Sequence, residues 1–173
     1  MKTLEEQMAS YAAYHQDARN KATHFVGVPL IMLAILIPLS WPGFQAAGTT
    51  VTAAMVLAAA VLAYYFVLDL ALATAMLVVL CVLIWIAEAI AALGPAPAWS
   101  WFAGLFLGGW ILQLVGHAFE GRRPALVDNV FQIFMAPIFL AAEVFFALGY
   151  KPHLKERVRV NSAARRAQKA PSA

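Results

Sequence analysis

Residues Thr49 to Leu93 read TTVTAAMVLAAAVLAYYFVLDLALATAMLVVLCVLIWIAEAIAAL, with Asp69 and Glu88 as the charged side chains. As one helix rising about 1.5 Å per residue, this stretch has about twice the length needed to cross a hydrocarbon core of about 30 Å. It must therefore fold back on itself. Asp69 marks the turn, and Tyr64 and Tyr65 just before it suit an interface belt. Asp69 is then a solvated turn residue. Glu88 lies among Ile86, Ala87, Ala89 and Ile90, where an ionisable group should face protein or, this close to the end of a span, snorkel to the interface.

The whole chain supports a lipid environment. Its 173 residues are 63% hydrophobic and 12% charged, and the mean hydropathy is +0.75. A soluble domain of this length has too little interior for so much apolar surface. Cys81 is the single cysteine and sits in an apolar run, which excludes an intramolecular disulfide and a thiolate-rich metal site. No A-x-A cleavage site follows the first apolar run, so no removable signal peptide is expected. The pI near 9.2 suits anionic headgroups; without a basic recognition module, nucleic acid is not an expected partner.

Working outward, Phe25 to Trp41 forms the first span, short unless it begins near Asn20. Gly27 and Pro29 permit a kink, and Trp41-Pro42-Gly43 ends it. Before it, Met1 to Ala22 carries Leu4, Met8, Tyr11 and Ala12 at the spacing of an amphipathic interfacial helix. After the central stretch, Gly94 to Ala98 is a tight loop, and a fourth span runs from Trp99 to Phe119 with a small-residue face at Gly104, Gly108 and Gly109. Pro137 should kink or split the last apolar region, Ala125 to Tyr150. The tail from Lys151 holds seven of the twelve Lys and Arg residues, and beyond Asn161 a mobile end is expected. The expected architecture is an all-α membrane protein. It has four transmembrane helices, an N-terminal interfacial helix, and a Pro-broken, re-entrant C-terminal segment. A single catalytic domain would cover residues 1–160, with a basic tail over 161–173.

Charge sets the orientation. The loops Pro42 to Gly48 and Gly94 to Ala98 contain no Lys or Arg, whereas Arg19, Lys21, Arg122, Arg123 and the tail are basic. The positive-inside rule then places the N-terminus, the loop after the fourth span and the tail in the cytoplasm. The Ala125–Tyr150 segment would enter and return around Pro137, or lie in the interface, rather than cross, with its irregular backbone shielded by protein.

This topology brings ionisable residues to one face. Gln113, His117 and Glu120 stand at i, i+4 and i+7 along one side of the fourth span. His15 and His24 are nine residues apart and would point to opposite faces of a straight helix. They can share a ligand only if the chain breaks between them, and Gln16 to Asn20, with Asp17 and Asn20 as caps, supplies a candidate break. His153 can join them. Neutral imidazoles with a nearby carboxylate suit Fe(II) or Zn(II). Glu120 would be a ligand or would orient a liganding histidine, as would Gln113 and Asn20. Arg122 and Arg123 are placed to bind a carboxylate headgroup. The bland alternative is that His117 and Glu120 simply satisfy each other at a helix end.

Two stretches extend this reading. YAAYHQDARNKATHFVGVP, Tyr11 to Pro29, resembles the signature Y-x-x-x-H-x-x-x-x-N-x-x-x-H-x-x-G-x-P. QLVGHAFEGRRPAL, Gln113 to Leu126, resembles G-H-x-x-F/E-x-x-x-P-A-L. Both belong to the yeast-type 2-hydroxy fatty acid dioxygenase family of small multi-pass membrane proteins. The resemblance implies an Fe(II)-dependent α-oxidation in which O2 attacks a 2-hydroxy fatty acid, C1 is lost, and a fatty acid one carbon shorter results. Carried over by position, His15, His24 and His117 would be ligands, with Glu120 a ligand or supporting base and His153 a less closely matched addition. The substrate's 2-hydroxyl and carboxylate would bind the metal together. Tyr11, Arg122 and Arg123 are candidates for holding the substrate. The site would lie on the cytoplasmic face of a bacterial inner membrane, or of the endoplasmic reticulum in a eukaryote.

Other classes predict different features. A transporter would place ionisable groups near the bilayer midplane within inverted repeats, and no repeat is evident. A zinc-dependent lipid hydrolase could use the same ligands, and a non-catalytic lipid-binding protein could carry a packing cluster of histidines.

Overall fold

The computed structural model describes residues 3–121 and 132–169. Arg122, Arg123, Pro124, Asp128 and Asn129 lie outside them. The order of elements is α1 (Leu4–Ala12), α2 (Ala18–Leu39), β1 (Gly43–Ala46), β2 (Thr49–Thr52), α3 (Ala53–Leu68), α4 (Leu70–Ala91), α5 (Pro95–Glu120), α6 (Gln132–Ala147) and α7 (Pro152–Lys169). The chain divides into two compact units, one made of residues 1–24 and 114–173 and the other of Phe25–Gln113. The division falls inside α2, after His24, and inside α5, before Leu114.

In the Phe25–Gln113 unit, α3 and α4 pack together as the hairpin required by the long apolar run. Asp69 links them in an extended conformation (φ −164°, ψ 120°) and caps α4 by accepting from Leu72 N–H at 3.0 Å. Leu36, Ile37, Ala54, Leu83, Ala87 and Ala98 form the core. Where α2 meets α5, a Cβ on Gly109 would lie 2.6 Å from Ile31 Cγ1 and 3.0 Å from the Gly27 carbonyl oxygen. Only glycine allows that approach. Gly104 and Gly108, expected on the same packing face, have nothing within 4 Å. Glu88 follows the protein-facing alternative: its Oε1 is buried, with no hydrogen-bond partner among the described residues.

The loop expected after the first span contains an antiparallel hairpin pairing Gly43–Ala46 with Thr49–Thr52. Its two turn residues, Ala47 and Gly48, both have positive φ (50° and 79°), the backbone twist that two-residue hairpins favour.

Among the described residues three helices, α2, α4 and α5, are long and apolar enough to cross a bilayer, whereas α3 and the apolar part of α6 are shorter. Val67, Leu70, Trp85, Leu107 and Ile111 are each 60% exposed or more. In water such side chains would drive association; in lipid they are the expected outer surface. The fold is thus an all-α membrane protein with one small hairpin.

The other unit bears on three expectations. The apolar face of α1, carrying Leu4, Met8, Tyr11 and Ala12, is buried against α7 and α6, so protein covers it. Helix α6 continues through Pro137 without interruption, and the chain does not turn back there. The lost backbone bond would have gone to the Ile133 carbonyl in the first turn, where disruption costs least. Residues beyond Asn161, expected to be mobile, continue α7 to Lys169 across the boundary placed at residue 160. Glu5 of α1 anchors α7 by accepting from Asn161 Nδ2 at 2.7 Å and pairing with Arg157 Nε at 3.0 Å.

Candidate metal centre

Helix α1 begins with a capping box between Thr3 and Glu6 and ends at Ala12. Tightened i→i+3 bonds follow, from Tyr14 N–H to the Tyr11 carbonyl (3.0 Å) and from His15 N–H to the Ala12 carbonyl (3.1 Å). The chain then breaks, and α2 starts at Ala18. The break lies slightly earlier than expected. Asp17 opens α2 by accepting from Arg19 N–H at 2.8 Å and by a two-pronged pair with the Arg19 guanidinium. That guanidinium holds the Asp17 carboxyl down at about 2. Asn20 is not a cap. It is a fully buried residue inside α2.

The break lets His15 meet His24, and α5 adds His117. The three are 2%, 2% and 6% exposed, and one nitrogen from each lies within 4.8 Å of the others. His15 Nδ1 bonds the Tyr11 carbonyl at 2.8 Å, and His24 Nδ1 bonds the Asn20 carbonyl at 2.8 Å. A carbonyl only accepts, so both Nδ1 atoms carry the proton and both Nε2 atoms present lone pairs. Those Nε2 atoms face each other at 3.1 Å. Two lone pairs at that distance repel unless a cation lies with them. A proton is disfavoured, because burial, and then the charge that His24 would carry, push the His15 imidazole down to about 3. His117 Nδ1 is buried without a hydrogen-bond partner among the described residues. Facing lone pairs and an orphaned ring nitrogen are what a divalent metal ion would satisfy, so the donor set fits a metal.

Glu120 stands at the end of α5. Its side chain is 3% exposed. Oε2 accepts from Gln16 N–H (2.9 Å), Asp17 N–H (2.8 Å) and Asn20 Nδ2 (3.3 Å), while Oε1 pairs with Arg166 Nη1 (3.3 Å). Both oxygens are therefore engaged by donors. The carboxylate grips the break immediately after His15. Gly116 makes the helix approach possible: a Cβ there would collide with Thr23 Oγ1 and stand 2.5 Å from Asn20 Oδ1.

The remaining candidates are placed as follows. Tyr11 is buried, its ring stacks on His15 with centroids 4.0 Å apart, and its carbonyl orients His15. Burial pushes its hydroxyl well above the usual range. It contacts the histidine rather than an open substrate space. Gln113 is buried in the Phe25–Gln113 unit, where a Cβ on Gly27 would lie 3.1 Å from its Nε2. His153 is exposed in the first turn of α7 and is not in the histidine group. Three contributors had not been singled out: Phe139, packed on Tyr11 at 4.7 Å, Glu143, which pairs with Lys21 at 3.0 Å, and Arg166. Their sequence neighbourhoods carry no motif, and their partners lie far away along the chain.

Long apolar helices and a buried group of three imidazoles define a membrane protein with a candidate metal centre. The family model described as 2-hydroxy-palmitic acid dioxygenase Mpo1-like matches residues 1–148, and the chain belongs to the Mpo1-like family. The 2-hydroxy-palmitic acid dioxygenase MPO1 of Saccharomyces cerevisiae is 56% identical over 54 residues, a match covering 30% of this chain and 31% of the yeast protein. No solved structure matches.

Proposed function

We propose that this protein is an Fe(II)-dependent dioxygenase that converts 2-hydroxy fatty acids to fatty acids one carbon shorter. The observation that carries the reading is the buried pair of Nε2 lone pairs on His15 and His24, with His117 beside them. The family's description as 2-hydroxy-palmitic acid dioxygenase-like supports the substrate class. The reaction balances as 2-hydroxy acid plus O2 giving the shorter acid, CO2 and water, with O2 as the four-electron acceptor. Bound iron would supply O2 activation and a positive centre for the substrate's oxygens.

The chain's own residues do the rest. Tyr11 and Asn20 carbonyls fix the tautomers of His15 and His24 so that both Nε2 atoms are free to ligate. Glu120 holds the break that carries His15. Three neutral imidazoles leave a divalent charge uncompensated, which favours an anionic ligand such as a 2-hydroxy carboxylate. The acyl chain would lie among apolar helices and the polar head at the histidines, on the cytoplasmic face. Three histidines are also a zinc donor set, so the rival is a zinc lipid hydrolase. Metal analysis of anaerobically purified protein, followed by mass analysis of 2-hydroxypalmitate turnover in air, separates them. Iron with formation of the 15-carbon acid supports the proposal; zinc without O2 consumption overturns it.

A further inference from the structure

The family match ends at residue 148, yet the helix beyond it reaches the candidate centre. We infer that α7 is a positioning strap for the metal site, with Arg166 acting through Glu120 on the placement of His15. Three observations converge on this. First, Glu120 is 3% exposed, and a carboxylate taken out of water is costly unless it is paired and hydrogen-bonded. Arg166 supplies the pairing charge at Oε1 (3.3 Å) from the last turn of α7. Second, the other oxygen of the same carboxylate is the acceptor for the Gln16 and Asp17 amides, the two residues directly after His15. Third, α7 also fixes the other side of His15. Asn161 and Arg157 hold Glu5, Val158 and Ser162 are buried, and α7 packs on α1. Helix α1 in turn carries Tyr11 in its last turn, and the Tyr11 carbonyl orients the His15 ring.

His15 is thus clamped between two segments that α7 secures. Losing the Arg166 charge would leave Glu120 buried and unpaired. The carboxylate would then turn toward water, and its grip on the break weakens. Arg166 is a positioning residue: it touches neither the histidines nor a substrate among the described contacts.

The role in metal binding rests on the metal reading above; the role in holding the break does not. The test therefore has two readouts on the full-length protein in detergent. Hydrogen exchange at Gln16 and Asp17 reads the break without any metal. Co(II) titration, followed by its visible spectrum, reads the histidine geometry. Arg166→Gln should abolish most of the protection at Gln16 and Asp17, raise the Co(II) dissociation constant by about 10-fold, as loss of groups that support ligands generally does, and shift the Co(II) bands. Arg166→Lys, which keeps the charge, should restore most of both. In a Glu120→Gln background, Arg166→Gln should add nothing further. Arg159→Gln on the same helix removes an exposed pair with Glu156 and should leave all readouts at wild type. Wild-type protection in Arg166→Gln, or additive effects with Glu120→Gln, would overturn the inference. A wild-type protein that binds no Co(II) would instead overturn the metal reading, and the exchange data would still decide the strap.

Discussion

The chain breaks between α3 and α4 at Asp69, and between α1 and α2 over Ala13–Asp17, and the two breaks are held in different ways. At Asp69 two local bonds shape the turn: its N–H donates to the Tyr65 carbonyl (2.9 Å) and its Oδ1 accepts from Leu72 N–H (3.0 Å). The flanking helices are apolar and pack on each other. At Ala13–Asp17 the decisive acceptor is Glu120, 104 positions from Gln16 and 103 from Asp17. A local turn inside an apolar hairpin is set by its own few residues and tolerates change. A polar break held by a distant buried carboxylate is cooperative and unforgiving, which suits a segment that must place a ligand accurately.

Predictions test that contrast, beginning with the largest effect. Replacing His117 with Ala should remove metal from the purified protein and reduce turnover of 2-hydroxypalmitate by roughly 100-fold or more, beyond what altering a supporting group costs; full activity in His117→Ala would end the ligand assignment. Acid should act mainly through the break. The folded His15 titrates near 3, while an unfolded histidine titrates at about 6.5. As pH falls below that unfolded value the unfolded chain takes up the proton first. The His15 contribution to stability is thus complete above about pH 6.5 and is lost progressively toward pH 3, on the order of a few kcal/mol. Denaturation of the metal-free protein between pH 7 and pH 4 checks the sign; stability that rises on acidification would contradict it.

Two glycines on α5 sharpen the comparison at smaller scale. Gly116→Ala drives a methyl into Thr23 and Asn20 and should cost about 1–3 kcal/mol, as overpacking does, with weaker metal binding. Gly104→Ala meets open space, so it should change stability by less than about 1 kcal/mol and in the favourable direction, since alanine is the better helix former. Equal effects at both positions would refute the close approach at Gly116. The smallest effect is expected at the hairpin: Asp69→Ala loses one helix cap, about 1 kcal/mol, and leaves metal binding intact, as thermal melting and Co(II) titration would show.

The membrane class, the apolar hairpin and its turn at Asp69 were legible because each follows from hydropathy and spacing over a few adjacent turns. The three gathered histidines were legible in part: the nine-residue gap between His15 and His24 demanded a break, and the two signatures marked the same positions. Other features were not readable. Tyr11 stood as a substrate contact because its stacking on His15 needs α1 to pack under α6 and α7. Asn20 read as a cap because a buried asparagine bonding Glu120 has no local signature. Basic residues beyond Asn161 read as a mobile end because their partners, Glu5 and Glu120, lie 156 and 46 positions from Asn161 and Arg166 respectively.

By itself the sequence determined the solvent, the helical class and the identity of the imidazoles, since burial of apolar surface and motif spacing act through near neighbours. Tertiary structure alone decided which groups gather as candidate ligands and which hold the chain around them. Whether Glu120 faces a metal or grips a chain break depends on which donors reach a buried carboxylate first. Gln16, Asp17, Asn20 and Arg166 reach it only when α1, α2, α5 and α7 are packed.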